Sequence, residues 1–535
     1  MKNRKITLLV LVLLHAFVGV GASATKQSSA PRLVVNIVVS GMRYADLQRY
    51  ADGFGEGGFA RVLAGESFPY AYYAFAPSTP SALATLTTGA NPSLHGVVGY
   101  GWWNWTSGQR EGVVGDPQCS TFNADTPESR VSNRNLVVET FGDRVVASFE
   151  GSRSVSVATD PSSAIIMGGL NPTEVWWLDS LSGTWTTSTK YAVTLPKWVG
   201  NFNRTGYWRT QYTQPWVLSR SNESYLNATT VVAKPNGYKA PREEKRRGAV
   251  PKDVLEFGYR PTSNDVVAAF AKVAIIYGRL GGDSKPDVLN VCFDAPRRIV
   301  ARYGLDSREV EDMYYRLDES IADLLTFASA QAGGRMVVVL TTDGGVCAAD
   351  DKNKLFNASQ ARLLINSFLS ATYGKGDWVL GCENCSFWLN HTLIFSKGLE
   401  VAMVQQQVAN FALQLRGVSH AVSASDMAAS GALFGVMELI QNSYYPKRSP
   451  DVTLVLMPDW CNTYREDYVA RTSSQLIYAP YRRSLIAMCG MGIEEGNVIT
   501  QKVDMRSFVV TMSRILGMEA PIGAEWDPLP EHSSK

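Results

Sequence analysis

RLVVNIVVSGMR, residues 32–43, opens as a β-type run from Arg32 to Val39 and then breaks into Ser40-Gly41-Met42-Arg43. A short, β-branched segment bounded by turns reads as a strand covered on both faces, the kind found in parallel sheets. Four further segments have this character: Val155 to Ala158, Val288 to Phe293, Met336 to Thr341 and Val452 to Met457. Helical patterns lie between them. From Glu309 to Phe327, the residues Val310, Met313, Tyr314, Leu317, Ile321 and Leu324 recur every three or four positions, with Arg316, Asp318 and Glu319 expected on other faces. Alternating strands and helices predict an α/β fold, a doubly wound and mostly parallel sheet flanked by helices. Such folds take ligands at the carboxyl ends of their strands. Ser40, Asp294 to Arg297, and Asp343 stand at those ends.

The N-terminus carries Lys2, Arg4 and Lys5, an apolar stretch from Ile6 to Gly21, and then Ala22-Ser23-Ala24. A basic start, a short apolar core and an A-x-A-like site define a secretory signal peptide over residues 1–24. The rest of the chain, residues 25–535, is then exported to the periplasm, the cell envelope or the medium. No later segment is long and apolar enough for a transmembrane span. With 51 basic against 49 acidic residues the chain is nearly neutral, which gives no electrostatic footprint for nucleic acid. The dense charge run Arg242 to Arg247 reads as a solvated loop or a docking patch. Seven cysteines permit disulfides and leave one over. Cys382 and Cys385 form the close pair, as a local disulfide or as two thiols. A stretch rich in Trp, Tyr, Asn, Thr and Pro, about 176–259, is expected to be an inserted cap.

Several phrases together resemble one family. They are RYADLQRYADGFGEGGFARVLAG at 43–65, TPSALATLTTGANPSLHGVVG at 79–99, LPKWVGNFN at 195–203 and EVEDMYYRLD at 309–318. In this order they resemble the bacterial phosphate-irrepressible alkaline phosphatases of the alkaline phosphatase superfamily, over nearly the whole chain after the leader. The resemblance implies an alkaline-phosphatase-like fold. It also implies a hydroxyl nucleophile activated by two zinc ions about 4 Å apart. The family places its nucleophile ten residues before the glycine of a T-G-x-x-P-x-x-H-G phrase, and counting back from Gly89 gives Thr79. Thr79 is therefore the relic nucleophile position, or an ordinary threonine in a strand-to-helix turn.

The implied metal ligands are mostly replaced. At one site the family's strand-end aspartate is Ser40, and its later Asp-His pair is Asp343-Gly344. At the other site the Asp-x-x-x-His residues correspond to Arg297 and Ala301, and the C-terminal histidine corresponds to Ser474. Asp343 is the retained ligand-type residue, whereas zinc generally needs three or four imidazole, thiolate or carboxylate donors together. After the leader the chain has four histidines, His95, His391, His420 and His532. Where the family binds phosphate with an asparagine and a Lys-x-Arg pair, this chain has Tyr100 and Asp160-Pro161-Ser162. Aspartate there repels phosphate. Arg297 is a candidate substitute for metal charge, its guanidinium pairing with Asp343 or Asp294.

The leading expectation is thus a catalytically degenerate pseudoenzyme, a binding or scaffold component that acts with an unknown protein or envelope partner and no cofactor. The alternative is a zinc-dependent phosphomonoesterase or phosphodiesterase using Thr79. A third reading takes Trp102, Trp103, Trp105, Trp176, Trp177 and Trp185 as a sugar-stacking platform.

Overall fold

A computed structural model describes residues 30–122, 124, 126–179, 182–227, 256–348, 354–429, 431, 434–463, 472–473 and 477–530. The expected leader at 1–24, the Arg242 to Arg247 run, Ser474, His532 and most of 228–259 lie outside the described residues.

A ten-stranded sheet organises the chain. Its strands are β1 (Leu33–Val39), β2 (Glu66–Tyr72), β3 (Ser154–Ala158), β4 (Glu174–Leu178), β5 (Trp185–Thr186), β6 (Asp287–Phe293), β7 (Met336–Thr341), β8 (Arg483–Gly490), β9 (Asn497–Val498) and β10 (Val503–Asp504). They lie in the order β9-β2-β8-β7-β1-β6-β3-β4-β5, with β10 also on β2. The centre is parallel, while β8 runs antiparallel to both its neighbours. β1 is buried along its whole length because its alternate residues feed two cores. Leu33, Val35, Ile37 and Val39 face one, and Val34 and Val38 the other. One core is covered by α1 (Thr79–Thr88), α2 (Pro161–Gly168) and the helix Ser507–Leu516. The opposite core is covered by the helix Thr262–Gly278, α3 (Ala295–Tyr303) and α4 (Arg308–Gln331). This is the doubly wound arrangement expected from the alternation of strands and helices.

The register of the central strands builds the site. Val39 lies opposite Phe293, and Val38 opposite Thr341, so the chain leaves β1, β6 and β7 at one common level. Residues far apart in sequence therefore meet just beyond that edge.

Three expectations need correction. The strand at Val452–Leu456 is not in the parallel sheet. It pairs antiparallel with Ser386–Leu389 and Val418–Ser423 in a separate four-stranded sheet. Its apolar run arises because both of its faces are covered. Val452, Leu454 and Leu456 pack into a core with the helices Ala358–Tyr373 and Val401–Ala412, and Val455 packs with Val422, Met427, Ile440 and Ile477. Burial on two faces gives the same sequence pattern in either kind of sheet.

Second, Asp318 is 3% exposed rather than outward-facing. Its carboxylate accepts the Gly55 and Phe59 amides at 2.8 and 2.6 Å, tying α4 to the start of the Phe59–Leu63 helix. The apolar stripe of α4 is buried as expected.

Third, the tryptophans form no sugar platform. Trp102, Trp176, Trp177 and Trp185 are at most 3% exposed, and Trp103 and Trp105 pack on Trp388 and His391. The segment expected as a cap begins inside the main sheet, where it supplies β4 and β5. Its later residues Trp198, Phe202, Trp208 and Tyr212 join the adjoining core.

None of the seven cysteines is disulfide-bonded. Cys385 and Asn384 occupy a hairpin turn with φ of 61° and 49°. Two successive left-handed residues match the twist of a two-residue hairpin. Among the described residues no helix is long and apolar enough to cross a membrane.

Candidate functional site

Asp343 follows β7 and is fully buried. Four donors converge on its carboxylate. Oδ1 accepts the Gly41 amide at 2.8 Å and Arg297 Nη2 at 2.7 Å. Oδ2 accepts Ser40 Oγ at 2.6 Å and Thr79 Oγ1 at 2.5 Å. Arg297 also donates from Nε to Ser40 Oγ at 3.1 Å and from Nη2 to the Gly344 carbonyl at 3.1 Å. The structure thus brings Ser40, Thr79, Arg297, Asp343 and Gly344 into one hydrogen-bonded cluster.

Local structure explains each position. Ser78 caps α1 in a reciprocal capping box with Ser81, which holds Thr79 in the first helical turn with its hydroxyl toward β7. Gly41 has φ of 73°, and an added Cβ there would come within 3.1 Å of the Arg297 backbone. The missing side chain lets α3 approach β1 closely enough for Arg297 to reach across. Gly344 has φ of 106°, and a Cβ would meet Pro77 at 2.8 Å. A side chain at that backbone position requires Pro77 to shift. Ala301 lies further along α3 and brings no donor atom.

Burial disfavours the charge on Asp343, but Arg297 and the hydroxyls of Ser40 and Thr79 outweigh it and hold the carboxyl below its usual range. Burial likewise opposes the charge on Arg297, and Asp343 restores it, so the guanidinium is held above its ordinary value. Tyr73, buried beneath the cluster, donates to the Thr342 carbonyl at 2.9 Å. Burial and then the Asp343 charge push its hydroxyl well up.

A second cluster lies beside the first. Asp294 Oδ2 accepts the amides of Thr159 and Asp160, both at 3.0 Å, and Oδ1 accepts Ser163 Oγ at 2.8 Å. Burial and then Asp160 raise its pKa. Asp160 caps α2 by accepting the Ser162 amide at 2.8 Å, and Arg298 Nη2 lies 3.7 Å from its other oxygen. Arg297 therefore pairs with Asp343 rather than Asp294, and Arg297 and Arg298 both already face carboxylates. Tyr100 borders the same region, its hydroxyl pushed up by burial and by Asp160 while hydrogen-bonded to Thr79.

The donor set does not suit a pair of zinc ions. Two carboxylate oxygens offer about four acceptor sites, and those of Asp343 are engaged by four donors, one of them a cation. Among the described residues no group of three or more His, Cys, Asp and Glu side chains is placed to hold a metal. The described histidines are engaged elsewhere. His95 Nε2 lies 3.1 Å from Thr85 Oγ1, and burial and Arg448 lower its pKa to about 3. His391 pairs with Asp451 at 2.7 Å, and His420 with Ser419 at 3.0 Å.

Sequence reasoning did not single out Gly41, Tyr73, Thr159 or Ser163. Gly41 directly after the strand-end Ser40 was the available signal; the other three are ordinary residues whose roles come from packing.

The fold and the strand-end position of this cluster define a member of the alkaline phosphatase superfamily. The sequence model of the family described as type I phosphodiesterase / nucleotide pyrophosphatase matches residues 34–475, and the chain belongs to that family. It is 28% identical to a protein named calcium-transporting ATPase from Myroides odoratus, over 98% of each chain. It is 27% identical to alkaline phosphatase PhoV from Synechococcus elongatus, over 92% of this chain and 91% of that one. The crystal structure of alkaline phosphatase PafA shares its fold, with a TM-score of 0.85 at 24% identity, over 94% of this chain and 99% of the other.

Proposed function

We propose that this protein is an exported, catalytically degenerate member of its family, a pseudoenzyme that serves as a binding or scaffold component of the cell envelope. The observation that carries this reading is the Arg297–Asp343 pair at 2.7 Å. A guanidinium occupies the space beside the retained carboxylate and supplies the positive charge that an ion would otherwise bring. Thr79 spends its hydroxyl proton on Asp343. Asp160 and Tyr100 stand where the resemblance implies phosphate-binding groups, and neither offers a cation. Export rests on the N-terminal pattern of basic, apolar and small residues.

A second reading, a zinc-dependent phosphomonoesterase or phosphodiesterase using Thr79, is favoured by the names of the relatives, among them alkaline phosphatase PhoV. Elemental analysis of zinc-incubated protein, with phosphatase and phosphodiesterase assays on the same sample, separates the two. The pseudoenzyme reading expects near-zero tightly bound zinc and no turnover that depends on Thr79. About two zinc ions per chain, with activity lost in Thr79→Ala, would establish the hydrolase.

A further inference from the structure

A cavity of about 140 Å³ separates the four-stranded sheet from the loop that follows His95. Ser78 and Gly99 line it on one side, and Trp388, Met427, Leu454 and Ile477 on the other. Gly99 reveals the same space independently. It is buried, yet a Cβ added to it meets no heavy atom within 4 Å beyond its chain neighbours. A buried position with nothing in front of it faces a void in an interior that is otherwise close-packed.

Size, polarity and charge together narrow what fits. Apolar cavities of about 150 Å³ accept a molecule the size of benzene. Glu383 is the one charged residue among those lining the space, and Arg110 already engages its Oε2 from Nη2 at 2.7 Å and from Nε at 3.2 Å. An anion entering here meets a carboxylate and no unpaired cation, and a cation meets a carboxylate already neutralised. The hydroxyls of Ser423 and Ser449 belong to residues lining the space: Ser423 Oγ accepts the Asp426 amide at 3.1 Å and pairs with Ser425 Oγ at 2.9 Å, and Ser449 Oγ accepts the Tyr445 amide at 2.8 Å and donates to the Ser443 carbonyl at 3.3 Å. With its proton on the Ser443 carbonyl and one amide accepted, the Ser449 oxygen keeps room for one further donor.

We propose that this cavity is a binding site for a compact, uncharged, mainly apolar molecule of about six to nine non-hydrogen atoms carrying one hydrogen-bond donor, of the substituted-phenol type. The site lies one residue from Thr79, through Ser78, but none of its chemistry involves Asp343 or Arg297. It stands whether or not Thr79 supports turnover, so its failure and that of the pseudoenzyme reading are read separately.

The test is calorimetric titration of p-cresol, and of benzoate as an anion of similar size, into the zinc-free full chain. The expected result for p-cresol is saturable binding at one site per chain, with a Kd of about 0.1–1 mM. Benzoate is expected to bind at least about tenfold more weakly. Gly99 has no left-handed φ, so Gly99→Leu places a side chain in the void without backbone strain and is expected to weaken p-cresol binding about tenfold or more. Ala424→Phe fills the space from the opposite wall and serves if the first variant does not fold. Non-saturable p-cresol binding, benzoate binding as tight as p-cresol, or unaltered affinity in a folded filling variant would each overturn the proposal.

Discussion

Replacing Arg297 with alanine is the sharpest test of how the cluster is held together. Asp343 is fully buried and Arg297 keeps 19% of its side chain exposed, so the variant leaves a carboxylate in the interior without its cation. Removing one partner of a buried pair typically costs about 3–5 kcal/mol. Ser40, Gly41 and Thr79 still donate to Asp343, and the arginine is partly solvated, which places the expected loss near the lower end, about 3 kcal/mol at pH 7. The pH dependence identifies the cause. In the wild type the folded-state pKa of Asp343 is depressed, so its contribution is present above the unfolded value of about 3.9 and is lost as pH falls through the folded value. Without Arg297, burial raises that pKa and the folded variant takes up a proton as pH falls. The stability difference between the two proteins should therefore be widest at neutral pH, narrow as pH falls through the variant's raised value, and close only below the depressed wild-type value. Urea unfolding across this range measures it. Arg297→Met combined with Asp343→Asn should recover most of the loss, because a neutral pair leaves no unpaired charge. A variant within about 0.5 kcal/mol of the wild type at pH 7, or a difference independent of pH, would refute the reasoning.

His95 should make the protein acid-sensitive from its own side. Its folded pKa of about 3 lies below the unfolded value, so the unfolded chain binds an extra proton between about pH 6.5 and 3. Stability should fall through that window by up to about 1.4 kcal/mol per pH unit, and His95→Gln should flatten the slope in a urea titration. Gly344→Ala should destabilise by about 2 kcal/mol, since the left-handed backbone and the contact with Pro77 both resist a Cβ. A thermal melt unchanged from wild type would mean that the loop relaxes freely.

The strands around β1, the stripe of α4 and the flanking helices were legible because burial imposes periodicity on a sequence. The Val452 run misled for the same reason: an apolar pattern records that two faces are covered and says nothing of which strand lies alongside. Asp318 was misplaced because its hydrogen-bond partners, the amides of Gly55 and Phe59, carry no side-chain signature. At Ser40, Arg297, Ala301, Gly344 and Asp343 the primary structure gave residue identities alone, and the proposed replacement of ligand positions rests on those identities.

What the amino-acid sequence determined by itself was the alternation of buried strands and amphipathic helices and the chemical kinds of side chain available at the strand ends. Tertiary structure alone decided that four donors saturate one carboxylate, that Arg297 turns to Asp343 while Arg298 faces Asp160, and that a void opens beside Gly99. The physical reason is one of range. Periodicity and residue type act within a few positions along the chain, whereas hydrogen bonding and charge pairing depend on distances across the flush ends of β1, β6 and β7, which only strand register sets.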